Sequence, residues 1–312
     1  MNRALELTTH ILVATLLAIK LVDIVLGVKF RSRFLRQLAA EPEGRVRFYR
    51  NFILVSWVTA AFVPAIAFAS ADLSATDLGW AWPSGDGLDY LLASYVLLLI
   101  GVGGLRARSR MRRGHVLPGR AGTAPLVPQN TRERRLAILV SVTAGVTEEA
   151  VFRGLFIGVG TQLYDLPLAL VVLASLALFV AAHAYQGRRG LLGITLIGSM
   201  FTAVYLVSGS LLLAIVVHLC QDLVALLLVP AHPTVPEPTA NSGTGSHGTG
   251  SPGTGSHGTG SPGTGTHGTG AVGEAGGNER DTQVTTTDNV TPTEQVAVQP
   301  AVLPGVRAPF PG

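Results

Sequence analysis

The chain has 312 residues, of which 48% are hydrophobic and 13% are charged, and its mean hydropathy is +0.43. Soluble globular domains carry about 25% charged residues, so this composition excludes an ordinary soluble domain. The formal charge of +4 does not indicate nucleic-acid binding, because the basic residues lie in short loops between long apolar runs. The single cysteine, Cys220, excludes a disulfide within the chain.

Several apolar runs have about 20 residues, the length that crosses a bilayer core as a helix. We therefore predict an all-α, polytopic transmembrane bundle of about seven spans. In chain order the predicted spans are Thr9 to Val28, Phe52 to Ala71, Leu88 to Leu105, Leu136 to Gly160, Leu166 to Ala184, Leu191 to Val207 and Leu211 to Val229.

The distribution of basic residues predicts the orientation of these spans. The loops after spans one, three and five are rich in arginine, whereas the loop after span two carries three aspartates and no Lys or Arg. In a seven-span model the three basic loops share one side. We expect this side and the C-terminus to be cytoplasmic and the N-terminus to be outside, in the plasma membrane of a bacterium.

The character of the sequence changes after Val229, where four prolines are followed by glycine-rich pentapeptide repeats. Such composition buries too little apolar surface to offset the entropy of ordering, so we predict a disordered tail. Three parts follow: residues 1–134 with about three spans, 135–229 with about four spans and the chemistry, and the tail, 230–312.

Span four contains Glu148, Glu149 and Arg153 in an otherwise apolar helix. A charge at the bilayer centre costs about 2.5–3.5 kcal/mol on insertion scales, so three charges need a reason. Glu149 and Arg153 are four residues apart and can pair on one helix face. Glu148, turned about 100° away, is left as the unpaired carboxylate and a candidate general base.

Two further spans place ionisable residues inside the membrane. Span five ends in Phe179-x-x-x-His183, and span seven contains His218-x-x-x-Asp222. Intramembrane ionisable residues face the bundle interior or a water cavity and are functional candidates. The alternative is a set of interhelical hydrogen bonds that only orients the bundle.

These three motifs, Glu148-Glu149-x-x-x-Arg153, Phe179-x-x-x-His183 and His218-x-x-x-Asp222, resemble the signature of the CPBP family. The family comprises the type II CAAX prenyl endopeptidases and bacterial Abi-type, bacteriocin-immunity-like membrane proteases. The resemblance covers about Arg135 to Val229 and implies an intramembrane endopeptidase.

The resemblance also implies a role for each motif residue. Glu148 and His183 would activate the attacking water, and His218 and Asp222 would line the oxyanion side. Glu149 and Arg153, with Phe179, would support the site.

Asp222 stands where the CAAX endopeptidases have Asn. An ionised Asp cannot donate a hydrogen bond to an oxyanion, so it would have to be protonated, or instead orient His218 by accepting its ring N–H. We expect the second arrangement.

The predicted positions of Glu148 and His183 along the membrane normal also conflict. For Glu148 to reach His183, span four must begin later than Leu136 or span five must extend past His183.

Three alternatives remain open. Two histidines and a carboxylate also resemble a catalytic zinc set of Glu148, His183 and His218. We expect no metal or other cofactor, with zinc as the alternative. The chain could instead be a catalytically silent scaffold or immunity-type protein, or a transporter, although the absence of a matching inverted repeat disfavours transport. The expected partners are the lipid bilayer and a peptide or membrane-protein substrate, without nucleic acid. Neither the oligomeric state nor the prenylation of the substrate is predicted.

Overall fold

The computed structural model describes residues 3–233 except 42, 71, 84 and 86, and every regular element within them is a helix. The N-terminal part contains α1 (Arg3–Ala40), α2 (Gly44–Ala60), α3 (Phe62–Ala69), α4 (Leu88–Arg112) and the single turn α5 (Arg120–Thr123), which continues into a 3-10 turn, Ala124–Leu126. The second part contains α6 (Thr131–Glu149), α7 (Phe156–Gly158), α8 (Leu168–Ala182), α9 (Arg188–Ser208) and α10 (Leu211–Leu223). The predicted all-α bundle is confirmed. The predicted disordered tail lies, from residue 234 onward, outside the described residues.

Within the described residues, three π-helical stretches directly continue these α-helices. Ala150–Leu155 and Val159–Leu163 flank α7, and Val224–Leu228 continues α10. Because π turns often occur at functional sites, it is notable that the first one begins directly after Glu149. Together, α6, α7 and their π turns form one long helical segment from Thr131 to Leu163.

The helices have the length and composition of membrane spans. Among the described residues, five segments qualify: Arg3–Phe30, Gly44–Ala69, Leu88–Arg112, Arg188–Ser208 and Leu211–Leu228. The fifth predicted span is the shorter apolar helix Leu168–Ala182. The fourth predicted span is not among the candidates, and it is the one that carries two glutamates and an arginine. The chain is a membrane protein.

The start of α6 is fixed by a reciprocal cap. Asn130 accepts a hydrogen bond from the backbone N–H of Glu133 at 2.9 Å, and the Glu133 carboxylate accepts from the Asn130 amide and from the backbone N–H of Gln129. Such a capping box satisfies donors that a helix start leaves unpaired. Arg45 of α2 adds a 2.8 Å hydrogen bond to the same carboxylate, so the cap also joins α2 to α6.

The loop between α3 and α4 packs onto one end of the bundle. Leu78 is only 2% exposed, and it lies against Gly154 and Gly158 of the long helical segment. A Cβ at Gly154 would stand 2.8 Å from the Leu78 carbonyl oxygen, so only glycine allows this approach. The loop is further tied to the start of α10, because the N–H of Leu211 donates to the Gly79 carbonyl at 2.8 Å.

Helix α10 packs against both α9 and α6. Gly209 ends α9 with a φ of 62°, a left-handed conformation that glycine adopts readily, and Ser210 then caps α10 by accepting from the N–H of Leu212. Gly145 of α6 lets the α10 backbone approach, because a Cβ there would lie 3.2 Å from the Ile215 carbonyl oxygen. These packings bring the polar residues of α6 and α10 together.

Candidate active site

The two adjacent glutamates at the end of α6 point to different surroundings. Glu149 is fully buried, whereas the Glu148 side chain remains 18% exposed. Neighbouring residues on a helix are turned by about 100°, so the pair cannot share one environment. The sequence-based separation of the two carboxylates is present in the structure.

Glu149 lies at the centre of a buried polar group. Its Oε1 accepts hydrogen bonds from Arg153 Nη1 at 2.9 Å and from His218 Nδ1 at 2.6 Å. The predicted pair of Glu149 and Arg153 is thereby confirmed. Charge-assisted hydrogen bonds of this length are among the stronger ones in proteins. Because Glu149 and His218 come from different helices, the bond fixes α6 against α10.

Arg153 extends this group to α9 and α8. Its Nη2 donates to the Gly198 carbonyl at 3.0 Å, and its Nε lies 3.4 Å from the Thr202 hydroxyl. The guanidinium carbon also lies 4.3 Å from the centre of the Phe179 ring, within the range of a cation–π contact. A single buried arginine therefore contacts three helices.

The structure corrects the expected role of Asp222. Asp222 Oδ2 lies 3.8 Å from His218 Nε2, which is too long for a direct hydrogen bond. Glu149 instead accepts from the other ring nitrogen of His218, and the His218 ring stacks on Phe201 with 4.6 Å between centroids. The expectation that Asp222 orients His218 by accepting its N–H was wrong, because Glu149 takes that place.

Glu148 and His183 form the second polar group. Glu148 Oε2 and His183 Nε2 are 3.9 Å apart, and the buried Oε2 atom makes no hydrogen bond to any described residue. His183 Nδ1 lies 2.8 Å from the Phe179 carbonyl oxygen, which can only accept. His183 Nδ1 therefore carries the proton, and in the neutral ring the lone pair of Nε2 faces Glu148.

Both groups border one cavity of about 1060 Å³. Glu148, His183, His218 and Asp222 line it, together with apolar residues of α2 and α4. Glu149 and Arg153 do not line the cavity. Five of the seven predicted site residues, including Phe179, therefore line the cavity. The other two, Glu149 and Arg153, lie behind the residues that line it.

The hairpin of α6 and α8 explains how Glu148 and His183 meet. Glu148 lies fifteen residues before Leu163, and His183 lies fifteen residues after Leu168, with a short turn between. Equal distances from the turn of an antiparallel pair give similar depths. Glu148 and His183 therefore meet without an extension of α8, whereas the later membrane entry of span four stays a prediction. The helix begins earlier, at Thr131, and α8 ends at Ala182.

The comparison with known families covers this part of the chain. Residues 132–224 match the family model described as Rce1-like, type II CAAX prenyl endopeptidase. This match supports the resemblance to the CPBP family that the three motifs indicate. All seven predicted site residues fall within the matched range, whereas α1 to α5 lie before it. No curated protein and no solved structure matches the chain.

The zinc alternative requires three ligands from the polar residues of the matched range. Among residues 3–233 that the structure describes, no group of three or more His, Cys, Asp or Glu side chains is arranged to hold a metal ion. Within the alternative set, Glu148 Oε2 and His183 Nε2 lie 3.9 Å apart, whereas His218 Nδ1 is bonded to Glu149.

Several residues of the candidate active site were not predicted from the sequence. Phe201 stacks on His218, and the Thr202 hydroxyl and the Gly198 carbonyl accept hydrogen bonds from Arg153. All three lie on α9, whose sequence carries no Asp, Glu, His, Lys or Arg between Arg189 and Ser208. Only their spacing gives a signal, because Gly198, Phe201 and Thr202 recur at three and four residues and so share one helix face.

Proposed function

We propose that the chain is an intramembrane endopeptidase that hydrolyses a peptide bond with a water activated by Glu148 and His183. The observation that carries the proposal is the buried Glu148 Oε2, which makes no hydrogen bond within the described chain and lies 3.9 Å from His183 Nε2 at the cavity wall. The family match supports a protease of the CAAX type.

The geometry favours a water molecule held between the two groups. Polar atoms 3.9 Å apart are too distant to bond directly but close enough to share one water. Such a water would donate one proton to Glu148 Oε2 and the other to His183 Nε2, so its oxygen lone pairs would remain available for attack. Glu148 would take the proton as the water attacks the carbonyl carbon, and would return it to the leaving amine when the C–N bond breaks.

The opposite side of the cavity would stabilise the oxyanion. His218 would act as an imidazolium, with Nδ1–H bonded to the Glu149 carboxylate and Nε2–H as the donor at the cavity. Because His218 Nε2 lies 3.8 Å from Asp222 Oδ2, it makes no direct hydrogen bond there and would be able to donate to a substrate oxygen in the cavity. Donors aimed at a developing oxyanion in a dry site are worth several kcal/mol of barrier.

Two features of this proposal rest on the sequence. We propose no metal, because the spacing of Glu148, His183 and His218 does not match His-Glu-x-x-His, which places two zinc ligands on one helix. We also propose a bacterial plasma membrane location with the N-terminus outside and the C-terminus in the cytoplasm, on the arginine distribution. The substrate would be a peptide or a membrane-protein segment.

The experiment is cleavage of a fluorogenic peptide library by the purified protein in detergent, with prenylated and unprenylated peptides in separate arms. Glu148→Ala and His183→Ala should each abolish the cleavage, and Glu43→Ala, at an exposed glutamate, should retain it. Full activity in both site variants would refute the assignment. Adding 1,10-phenanthroline tests the metal: unchanged cleavage supports the proposal, and inhibition reversed by zinc refutes the metal-free mechanism.

A further inference from the structure

A segment outside the family match borders the candidate active site. Residues 117–126, here called the strap, include α5 and its 3-10 turn and precede the matched range, 132–224. The strap contributes several residues to the cavity that Glu148 and His183 also line: Leu117, Pro118, Gly119, Arg120, Thr123 and Leu126. It therefore forms part of the cavity wall although it carries none of the three motifs.

One anchor of the strap is Arg120, which binds the end of the helical segment that carries His218 and Asp222. Its Nε donates to the Pro230 carbonyl at 2.9 Å and its Nη1 to the Ala225 carbonyl at 3.1 Å. Its Nη2 also donates to the Val229 carbonyl. The last carbonyls of a helix have no partner within the helix, and a cation there is favoured by the helix dipole.

The geometry of arginine suits this task. The guanidinium carries five N–H donors in a rigid fork, so one side chain can bond three carbonyls. Arg120 is only 9% exposed. Burial lowers the pKa of Arg120 to about 10, so the side chain remains cationic at neutral pH.

A second anchor joins the strap to the turn that follows His183. A Cβ at Gly122 would stand 2.5 Å from the Gln186 carbonyl oxygen and 2.9 Å from the Gln186 Cα, so the two backbones are in direct contact. A Cβ at Gly119 would stand 3.1 Å from the Cα of Gly190, and the φ of Gly119 is 80°, a conformation that favours glycine. Neither position accepts a larger side chain without movement of the turn.

A third anchor fixes the strap to α2 across the cavity. The Tyr49 hydroxyl donates to the Leu126 carbonyl at 2.6 Å, and Tyr49 is only 1% exposed. The strap thus has independent attachments to α2, to the turn after His183 and to the end of the α10 segment.

We propose that Arg120 is a positioning residue for the reaction, which sets the His218 and Asp222 side of the cavity relative to the Glu148 and His183 side. The strap is the bridge, because it holds the Ala225 to Pro230 carbonyls at one end and Gln186 at the other. This inference rests on the proposed peptidase function. It adds a determinant of the site that lies in the N-terminal part of the chain.

The test measures peptide cleavage by Arg120→Met, Arg120→Lys and the control Arg113→Met, at an exposed arginine in the same loop. A displaced catalytic group can lose about 100-fold in rate, so we expect Arg120→Met to lower kcat about 10- to 100-fold with little change in KM. Arg120→Lys keeps the charge without the fork and should recover part of the rate. Arg113→Met should match the wild type.

Hydrogen exchange provides the structural readout in the same samples. Backbone amides of residues 222–229 should exchange faster in Arg120→Met than in the wild type and Arg113→Met. If Arg120→Met does not fold, Gly122→Ala tests the other anchor and should also lower kcat. Faster exchange with an unchanged kcat would show that Arg120 is only a helix cap and would overturn this inference. A wild type that cleaves none of the peptides would instead refute the proposed function.

Discussion

His218 Nδ1 lies 2.6 Å from Glu149 Oε1, which joins the first and the third motif across two helices. The same oxygen accepts from Arg153 at 2.9 Å, so one buried carboxylate oxygen carries two partners. Glu149 therefore lies behind the residues that line the cavity, while its neighbour Glu148 lines the cavity itself.

Loss of Arg153 should destabilise the protein severely. Breaking a buried ion pair by removing one partner costs about 3–5 kcal/mol, because the other charge stays buried and uncompensated. Arg153 and Glu149 are 1% and 0% exposed, so Arg153→Met should lower the thermal midpoint in detergent by many degrees. Arg132→Met, which removes the exposed pair with Glu43, should change it little. Similar midpoints in both variants would contradict a stabilising role for the buried pair of Glu149 and Arg153.

Asp222→Asn should retain the fold and most or all of the cleavage activity. Asp222 makes no direct hydrogen bond to His218 at 3.8 Å, so the amide breaks no bond there. An Asn side chain can also donate to an oxyanion, which an ionised Asp cannot. Asp222→Leu should lose about 10- to 100-fold in kcat if the side chain acts on the oxyanion. Steady-state kinetics of the two variants distinguish these cases, and equal activity in both would exclude a role for Asp222.

The capping box at Glu133 should give the protein an acid-sensitive stability. Burial alone raises the pKa of Glu133, but hydrogen bonds from the Gln129 N–H, Arg45 and Asn130 outweigh it and lower that pKa below its usual value. A carboxyl with a lowered folded-state pKa stabilises the fold above its unfolded pKa and loses that contribution as pH falls. The thermal midpoint should therefore decline as pH falls below about 4.5.

Glu133→Gln should reduce this acid dependence, because an amide does not titrate. Its midpoint should lie below that of the wild type at neutral pH and should approach it at low pH. Glu43→Gln is the matched control, because the Glu43 side chain is 58% exposed. A wild-type acid profile that Glu133→Gln leaves unaltered would show that other carboxyls determine it.

Gly154 should be sensitive to the smallest substitution. An added Cβ would meet the Leu78 carbonyl oxygen at 2.8 Å, and overpacking of this kind costs about 1–3 kcal/mol. Gly101 of α4 has nothing within 4 Å of an added Cβ, so Gly101→Ala should be neutral or mildly stabilising. Thermal denaturation of the two variants provides the comparison. Equal thermal midpoints of the two variants would mean that the loop at Leu78 moves to admit the added methyl group without loss of stability.

The sequence predicted the fold class and the pairing within the first motif from physical rules. Apolar runs of the length of a bilayer indicated spans, and the four-residue spacing of Glu149 and Arg153 indicated a shared face. The link between Glu149 and His218 could not be predicted in this way. It depends on the rotation of α10 against α6, which close packing at Gly145 sets and no local pattern encodes.

The depth of Glu148 shows the same limit. Hydropathy placed the span ends from composition, whereas the level of Glu148 relative to His183 follows from the turn between Leu163 and Leu168. The strap was missed for a different reason. Residues 117–126 carry turn-forming glycines and prolines and no motif, and Arg120 resembled one more topogenic arginine. Its burial depends on contacts with residues more than a hundred positions away.

The most direct test of the account compares Glu148→Gln with Glu149→Gln in one preparation. Each substitution replaces a carboxylate by an amide of the same shape at adjacent positions. We expect Glu148→Gln to lose at least about 100-fold in kcat while keeping the wild-type thermal midpoint, because Glu148 Oε2 has no hydrogen bond to a described residue to lose. We expect Glu149→Gln to lower the midpoint, because Arg153 and His218 lose their charged partner. A Glu148→Gln variant that cleaves peptide at the wild-type rate would contradict the account.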